Sequence, residues 1–176
     1  FNVKRKQYNL KEFFYDDKPI IGVSWYTSNV KTGVNRSLSY EELKKLIIKS
    51  GYNFLNLQYG SVGKQVRELK LASNNKIISI PKVDLTNDIN SLSNLILNCD
   101  LVITIDNTTA HLSSALGQDT WILLPYSADF RWFENNTNSL WYETSKLYRQ
   151  QITKNWDQTI DQILNDLKTK YFLKGN

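Results

Sequence analysis

Two polar segments of this sequence have the composition of a site for a negatively charged ligand. One of them follows the short, mostly β-branched run Leu101–Ile105, and its small polar residues are typical of a helix N-terminus. At such a strand-to-helix corner, free backbone N–H groups and the positive end of the helix dipole can hold an anion. The candidate binding residues of this corner are Asp106, Asn107, Thr108, Thr109, Ala110 and His111.

The corner has a simpler explanation, which is helix capping by Asn107 or Thr108 with the same donors. His111 in the first turn is either a packing residue or a ligand contact, and its place at the predicted crevice favours ligand contact. We expect a structural or hydroxyl-binding role for Asp106, because an unpaired carboxylate would repel phosphate.

The second polar segment, Tyr26–Arg36, follows the first predicted strand and supplies Ser28, Lys31 and Arg36 as candidate binding residues. Arginine meets a phosphate through a bidentate fork, and lysine meets it as a point charge. An exposed surface loop explains Lys31 equally well.

Strand-like and helix-like patterns alternate over most of the chain, which predicts an α/β fold: a Rossmann-like parallel sheet flanked by helices. Strands are predicted at 20–25, 54–57, 77–80, 101–105, 121–124 and 146–149, and helices at 39–51, 64–72, 86–98, 108–117 and from about 155 onward. The capping box Ser39–Glu42 begins the first of these helices. If the strand order is 3-2-1-4-5-6, the two polar segments meet at the crevice between strands one and four. The aromatic-rich stretch 126–142 is predicted to be an irregular, functional loop or lid.

The length of 176 residues suits one well-buried domain. We assign 1–18 to a linker or connecting helix and 19–176 to the domain. The chain opens without methionine or a secretory signal, so we expect a piece of a longer cytoplasmic protein whose amino-terminal part is absent. No apolar run reaches membrane-spanning length. The net charge of +5 comes from scattered residues, which argues against nucleic acid as a partner.

Several kinds of catalytic site are absent from the sequence. It has no Walker loop, no dinucleotide fingerprint and no nucleophile elbow. The single histidine gives poor support for a serine triad, and with the lone Cys99 it makes no recognisable zinc site.

Short motifs follow one another over about residues 20–165. They are Gly22–Trp25, Asn35–Leu38, Leu57–Gly60, Ile105–Leu112, Ala115–Gly117, Trp121–Pro125, Phe130–Trp132, Ser139–Tyr142, Leu147–Gln150 and Trp156–Asp157. In this order they resemble the carboxy-terminal half of the heptosyltransferase-like glycosyltransferases (GT-B, family 9 type), and most of all the versions fused behind tetratricopeptide repeats.

The resemblance implies the donor-binding domain of a metal-independent bacterial glycosyltransferase. The diphosphate of a nucleotide-sugar substrate would lie on Asp106–His111, with the base and ribose near Gln58 and the turn Ile80–Val83. No cofactor is implied, and the catalytic base would belong to the missing acceptor domain. The heptosyltransferases have glycine about where Thr108 stands, which leaves the donor open. The alternative hypothesis is a non-catalytic scaffold that docks a partner through Trp132 and Trp141.

Overall fold

Six parallel strands form the centre of the molecule, which we describe from a computed structural model covering residues 7–29, 31, 33–134 and 136–172. The strands are Ile20–Ser24 (β1), Asn53–Asn56 (β2), Ile77–Ile78 (β3), Leu101–Ile105 (β4), Thr120–Leu124 (β5) and Ser145–Arg149 (β6). The α-helices are Gly33–Arg36 (α1), Tyr40–Ser50 (α2), Gly63–Ala72 (α3), Ile89–Leu97 (α4), Thr108–Ala115 (α5) and Asp157–Phe172 (α6). The strand order in the sheet is β3-β2-β1-β4-β5-β6, which is the order on which the predicted crevice depends.

Both faces of the sheet are buried because helices cover them, and side chains alternate between the two faces along each strand. One face packs Ile21, Val23 and Ile103 beneath helices α2, α3 and α6. The other face packs Ile20 and Val102 beneath helices α4 and α5. The molecule is therefore a three-layer α/β sandwich, and the predicted Rossmann-like fold class is confirmed.

Four local predictions differ from the structure. The strand predicted over 77–80 ends at Ile78. The helix predicted over 86–98 begins at Ile89, because the Asp84 carboxylate accepts hydrogen bonds from the Thr86 and Asn87 amides and holds them in a turn. The last helix begins at Asp157 rather than near residue 155. The segment Tyr26–Arg36, predicted as a loop, ends in the short helix α1.

The described part of the predicted linker packs on this domain. A 3₁₀ helix, Leu10–Phe13, buries Leu10 in the same cluster as Ile20, while Tyr8 and Phe14 pack beside it. Residues 1–6 lie outside the described residues, and the boundary at residue 18 stays a prediction. Among the described helices, none is both long enough and apolar enough to cross a lipid bilayer.

Candidate functional site

A cleft of about 840 Å³ opens at the carboxyl ends of β1 and β4, where the strand order reverses. Its walls come from both predicted polar segments and from the aromatic stretch 126–142. The lining residues are Thr27, Arg36, Tyr59, Asp106, Asn107, Thr108, His111, Phe130, Arg131, Trp141 and Tyr142. The crevice in an open parallel sheet is the usual ligand position in this class of fold.

The two polar segments touch each other across the cleft. Arg36 Nη1 lies 3.2 Å from Asp106 Oδ2, and the side chains are 21% and 6% exposed. A carboxylate this buried needs such a partner. Asp106 is therefore paired with Arg36, and the Asp106 carboxylate balances part of the positive charge that Arg36 brings to the cleft.

Asn107 organises the corner between β4 and α5. Its Oδ1 accepts hydrogen bonds from the backbone N–H groups of Thr109 (2.9 Å) and Ala110 (3.3 Å). Its Nδ2 donates to Ser24 Oγ at 2.9 Å, which ties the corner to the end of β1. The predicted free donors at Thr109 and Ala110 are therefore already used, so the capping explanation is correct for these two residues.

Gln58 extends this buried polar network to the end of β2. Its Oε1 accepts hydrogen bonds from Ser24 Oγ and from the backbone N–H groups of Trp25 and Tyr26, at 2.7 to 3.1 Å. The network holds the ends of β1, β2 and β4 in a fixed relation. Gln58 also borders a second hollow of about 340 Å³ together with Ile80 and Val83. Tyr59 lines both hollows, so the two adjoin.

His111 lies half-buried against the aromatic stretch. Its ring stacks on Trp132 with centroids 5.0 Å apart, and its Nδ1 lies 3.2 Å from the Tyr142 hydroxyl. Burial lowers the pKa of His111 below 6.5, and the nearby Asp106 carboxylate offsets only part of this effect. The ring is therefore neutral near pH 7 and can offer a ligand a hydrogen bond rather than a positive charge.

The structure brings some of the predicted residues together and leaves others out. Ser28 and Lys31 are exposed and do not line the cleft, and Thr109 and Ala110 are buried beneath it. Val30 and Thr32 of the first segment lie outside the described residues. Trp132, predicted to dock a partner in the alternative hypothesis, is 1% exposed and cannot do so without rearrangement.

Sequence reasoning missed six of the residues that line the cleft. These are Thr27, Tyr59, Phe130, Arg131, Trp141 and Tyr142. The aromatic composition of 126–142 signalled a functional loop, but nothing in its pattern indicated which rings face the cleft. Among the residues that the structure describes, no three His, Cys, Asp or Glu side chains gather in a group suited to a metal ion.

The chain thus combines a doubly wound α/β sheet with a polar cleft at its switch point, an arrangement characteristic of nucleotide-binding folds. In particular, it has the fold of heptosyltransferases and of glycosyltransferase family 9. Escherichia coli ADP-heptose LPS heptosyltransferase II matches it with a TM-score of 0.65 at 15% identity, over 94% of this chain and 50% of that one. E. coli heptosyltransferase WaaC with ADP matches with a TM-score of 0.59 at 14% identity, over 86% of this chain and 45% of that one.

One more solved structure has the same fold. The family 9 glycosyltransferase of Veillonella parvula gives a TM-score of 0.61 at 13% identity, over 94% of this chain and 49% of that one. Protein FlbA of Caulobacter vibrioides is 24% identical over 152 residues, which is 85% of this chain and 25% of that protein. No protein-family model matches. The chain therefore spans about half of the solved structures and a quarter of FlbA.

Proposed function

We propose that this chain is the nucleotide-sugar-binding, carboxy-terminal half of a metal-independent GT-B glycosyltransferase, located in the cytoplasm and preceded by an acceptor or repeat domain. The observation that carries the proposal is the meeting of Arg36 and Asp106–His111 in one cleft at the switch point. Structures of the same fold contain ADP or ADP-2-deoxy-2-fluoro heptose. The proposal leaves the nucleotide, the sugar and the acceptor open.

The cleft suggests how the donor would lie. The exposed Thr108 begins α5, so its hydroxyl, its amide and the helix dipole favour a diphosphate there, beside Arg36. The base and ribose would occupy the adjoining hollow beyond Tyr59, as the resemblance implies. The Thr108 hydroxyl and amide, the dipole of α5 and the Arg36 side chain would stabilise the leaving diphosphate in place of a metal ion. Without an acceptor domain, we expect weak donor binding and no transfer.

Calorimetry with ADP, GDP and UDP in buffer containing EDTA tests this proposal. We expect at least one of them to bind, and Arg36→Gln to weaken that binding by about tenfold or more, because hydrogen bonds to charged groups contribute roughly 1.5–3 kcal/mol. Arg36→Gln also leaves the buried Asp106 carboxylate unpaired, so the double variant Arg36→Gln/Asp106→Asn separates the effect of the lost cation from the effect of the unpaired carboxylate.

Lys31→Gln is the matched control, because it removes a charge from the same segment but from outside the cleft. We expect this variant to change the nucleotide affinity less than twofold, because solvent and salt screen an exposed charge that lies outside the cleft. A folded chain, verified by circular dichroism, that binds none of the three nucleotides would overturn the proposal.

The exposed side chains of Phe130, Leu140 and Trp141 favour a second candidate, a non-catalytic module that keeps the fold and binds a partner protein. Self-association without nucleotide affinity would support it. Nucleotide binding that depends on Arg36 would argue against it.

A further inference from the structure

Three rings form one side of the cleft, and we call Phe130, Trp141 and Tyr142 the aromatic wall. Phe130 is 78% exposed and Trp141 is 64% exposed. Asp106 and Thr108 of the polar corner line the same cleft. A ligand held at the corner therefore has exposed ring faces within the same cleft.

Two rings of the aromatic wall, Trp141 and Tyr142, are held in position by contacts within the chain. Trp141 Nε1 donates a hydrogen bond to the Arg131 carbonyl oxygen at 2.9 Å, and its ring lies 6.1 Å from that of Phe133. The Tyr142 hydroxyl lies 3.2 Å from His111 Nδ1. Fixed side chains lose little conformational entropy when a ligand binds, so this arrangement is suited to recognition.

The charged side chains that the structure places in the lining of the cleft are paired. Arg131 lies 2.8 Å from Asp129, and Arg36 lies 3.2 Å from Asp106. Burial also lowers the pKa of His111, which keeps its ring neutral near pH 7. This part of the cleft thus combines apolar ring faces and hydrogen-bonding groups with little net charge, which suits an uncharged, hydroxyl-bearing ligand.

We propose that the aromatic wall is the subsite for the glycosyl group of the donor, and that it takes an uncharged pyranose. The C–H face of the sugar packs on the exposed ring of Trp141, because the negative face of an aromatic ring attracts polarised C–H groups. The sugar hydroxyls bond to the neighbouring polar groups of the cleft. This inference rests on the proposed function, since the sugar arrives attached to the nucleotide.

Trp141 is itself a selective reporter of this contact. All five tryptophans lie within the described residues, and the other four are at most 5% exposed. In ¹⁵N-labelled protein, the Trp141 indole signal is identified by its loss in Trp141→Phe. We expect UDP-glucose, GDP-mannose or ADP-glucose to shift this signal more than the matching UDP, GDP or ADP does.

Affinity measurements give an independent result. We expect the nucleotide sugar to bind about tenfold more tightly than its nucleoside diphosphate, and we expect Trp141→Ala to abolish that difference by weakening the nucleotide sugar more than the diphosphate. Trp141→Phe should keep part of the difference because a ring face remains. Leu140→Ala is the control, since this neighbour is 67% exposed but does not line the cleft.

The outcomes separate the two proposals. The sugar subsite is wrong, and the proposed function stands, if a diphosphate shifts the Trp141 signal as much as the matching nucleotide sugar does. The same conclusion follows if Trp141→Ala weakens the binding of the diphosphate and of the nucleotide sugar equally. Packing on a C–H face tolerates different sugars, so diphosphate binding with no sugar response across the panel also overturns the subsite. If no nucleotide binds at all, the proposed function fails and the subsite fails with it.

Discussion

His111 is the residue through which the cleft responds to pH. Burial against Trp132 disfavours the charged ring, and this lowers its pKa below the unfolded value of about 6.5. The neutral ring is compatible with the fold above pH 6.5. As the pH falls below 6.5, the unfolded chain takes up a proton that the folded chain resists, so the stability contributed by this site is lost between 6.5 and the folded pKa.

We therefore predict that the imidazole of His111 titrates with a midpoint below 6.5 in the folded protein. As the single histidine of the chain, it gives proton NMR signals that need no assignment. The free energy of unfolding should fall as the pH is lowered from 7 to 5. The variant His111→Gln should remove the part of this pH dependence that His111 contributes. A midpoint at or above 6.5 would show that burial does not control this ring.

For individual residues, the sequence predicted where the polar corner between β4 and α5 lies. It did not predict which of the backbone N–H groups there are already used in helix capping. The polar residues after Ile105 indicated either capping or anion binding. The structure shows that Asn107 caps the helix with its side chain, while Thr108 begins the helix and lines the cleft as an exposed residue. The contact between Arg36 and Asp106 joins residues 70 positions apart. No local pattern indicates such a pairing, although the predicted strand order brought their segments together.

The segment 130–134 is held to the sheet by an arginine of β6. Arg149 Nη2 donates to the Trp132 carbonyl oxygen at 2.6 Å and also to that of Phe133. Phe133 has a φ of 48° and a ψ of 162°, a backbone conformation that strongly favours glycine. The guanidinium therefore stabilises a strained turn that positions Trp132 against His111.

We predict that Arg149→Lys loosens this segment, because an ammonium group cannot reproduce the geometry with which the guanidinium meets both carbonyls. Amide hydrogen exchange in 130–134 should accelerate, and global stability should fall by about 1 kcal/mol. Arg131→Lys is the matched control, because Arg131 lies in the same segment and its side chain is 53% exposed. Equal exchange in the two variants would argue against a role for Arg149 in holding the turn.

Elements with a strong periodic signal were predicted well, and those controlled by single side chains were not. The capping box Ser39–Glu42 and the αL residue Gly51 define α2 in the sequence and in the structure. The four-residue helix α1 has too few residues for any periodicity. The late start of α4 depends on one Asp84 carboxylate, which composition alone does not reveal.

The whole molecule depends on helices covering both faces of the sheet, and α6 contributes much of the cover on one face. It buries Ile160, Ile163 and Leu167 completely in the cluster with Val23 and Ile103. Lys45 of α2 also bridges Asp157 and Asp161 of α6, at 2.8 and 3.0 Å. None of the residues that line the cleft lies in α6, so the stability of this layer and the binding of a ligand are separable.

We predict that Leu167→Ala lowers the free energy of unfolding by about 2–5 kcal/mol, through lost burial and the cavity that remains. The folded fraction should keep its nucleotide affinity, because the cleft is built from the strand ends and not from this helix. Urea denaturation gives the first quantity and calorimetry on the folded variant gives the second. Leu71→Ala is the control, since Leu71 is 83% exposed and its loss should cost less than about 0.5 kcal/mol. A large loss of affinity in folded Leu167→Ala would mean that the α6 layer also determines the geometry of the switch point.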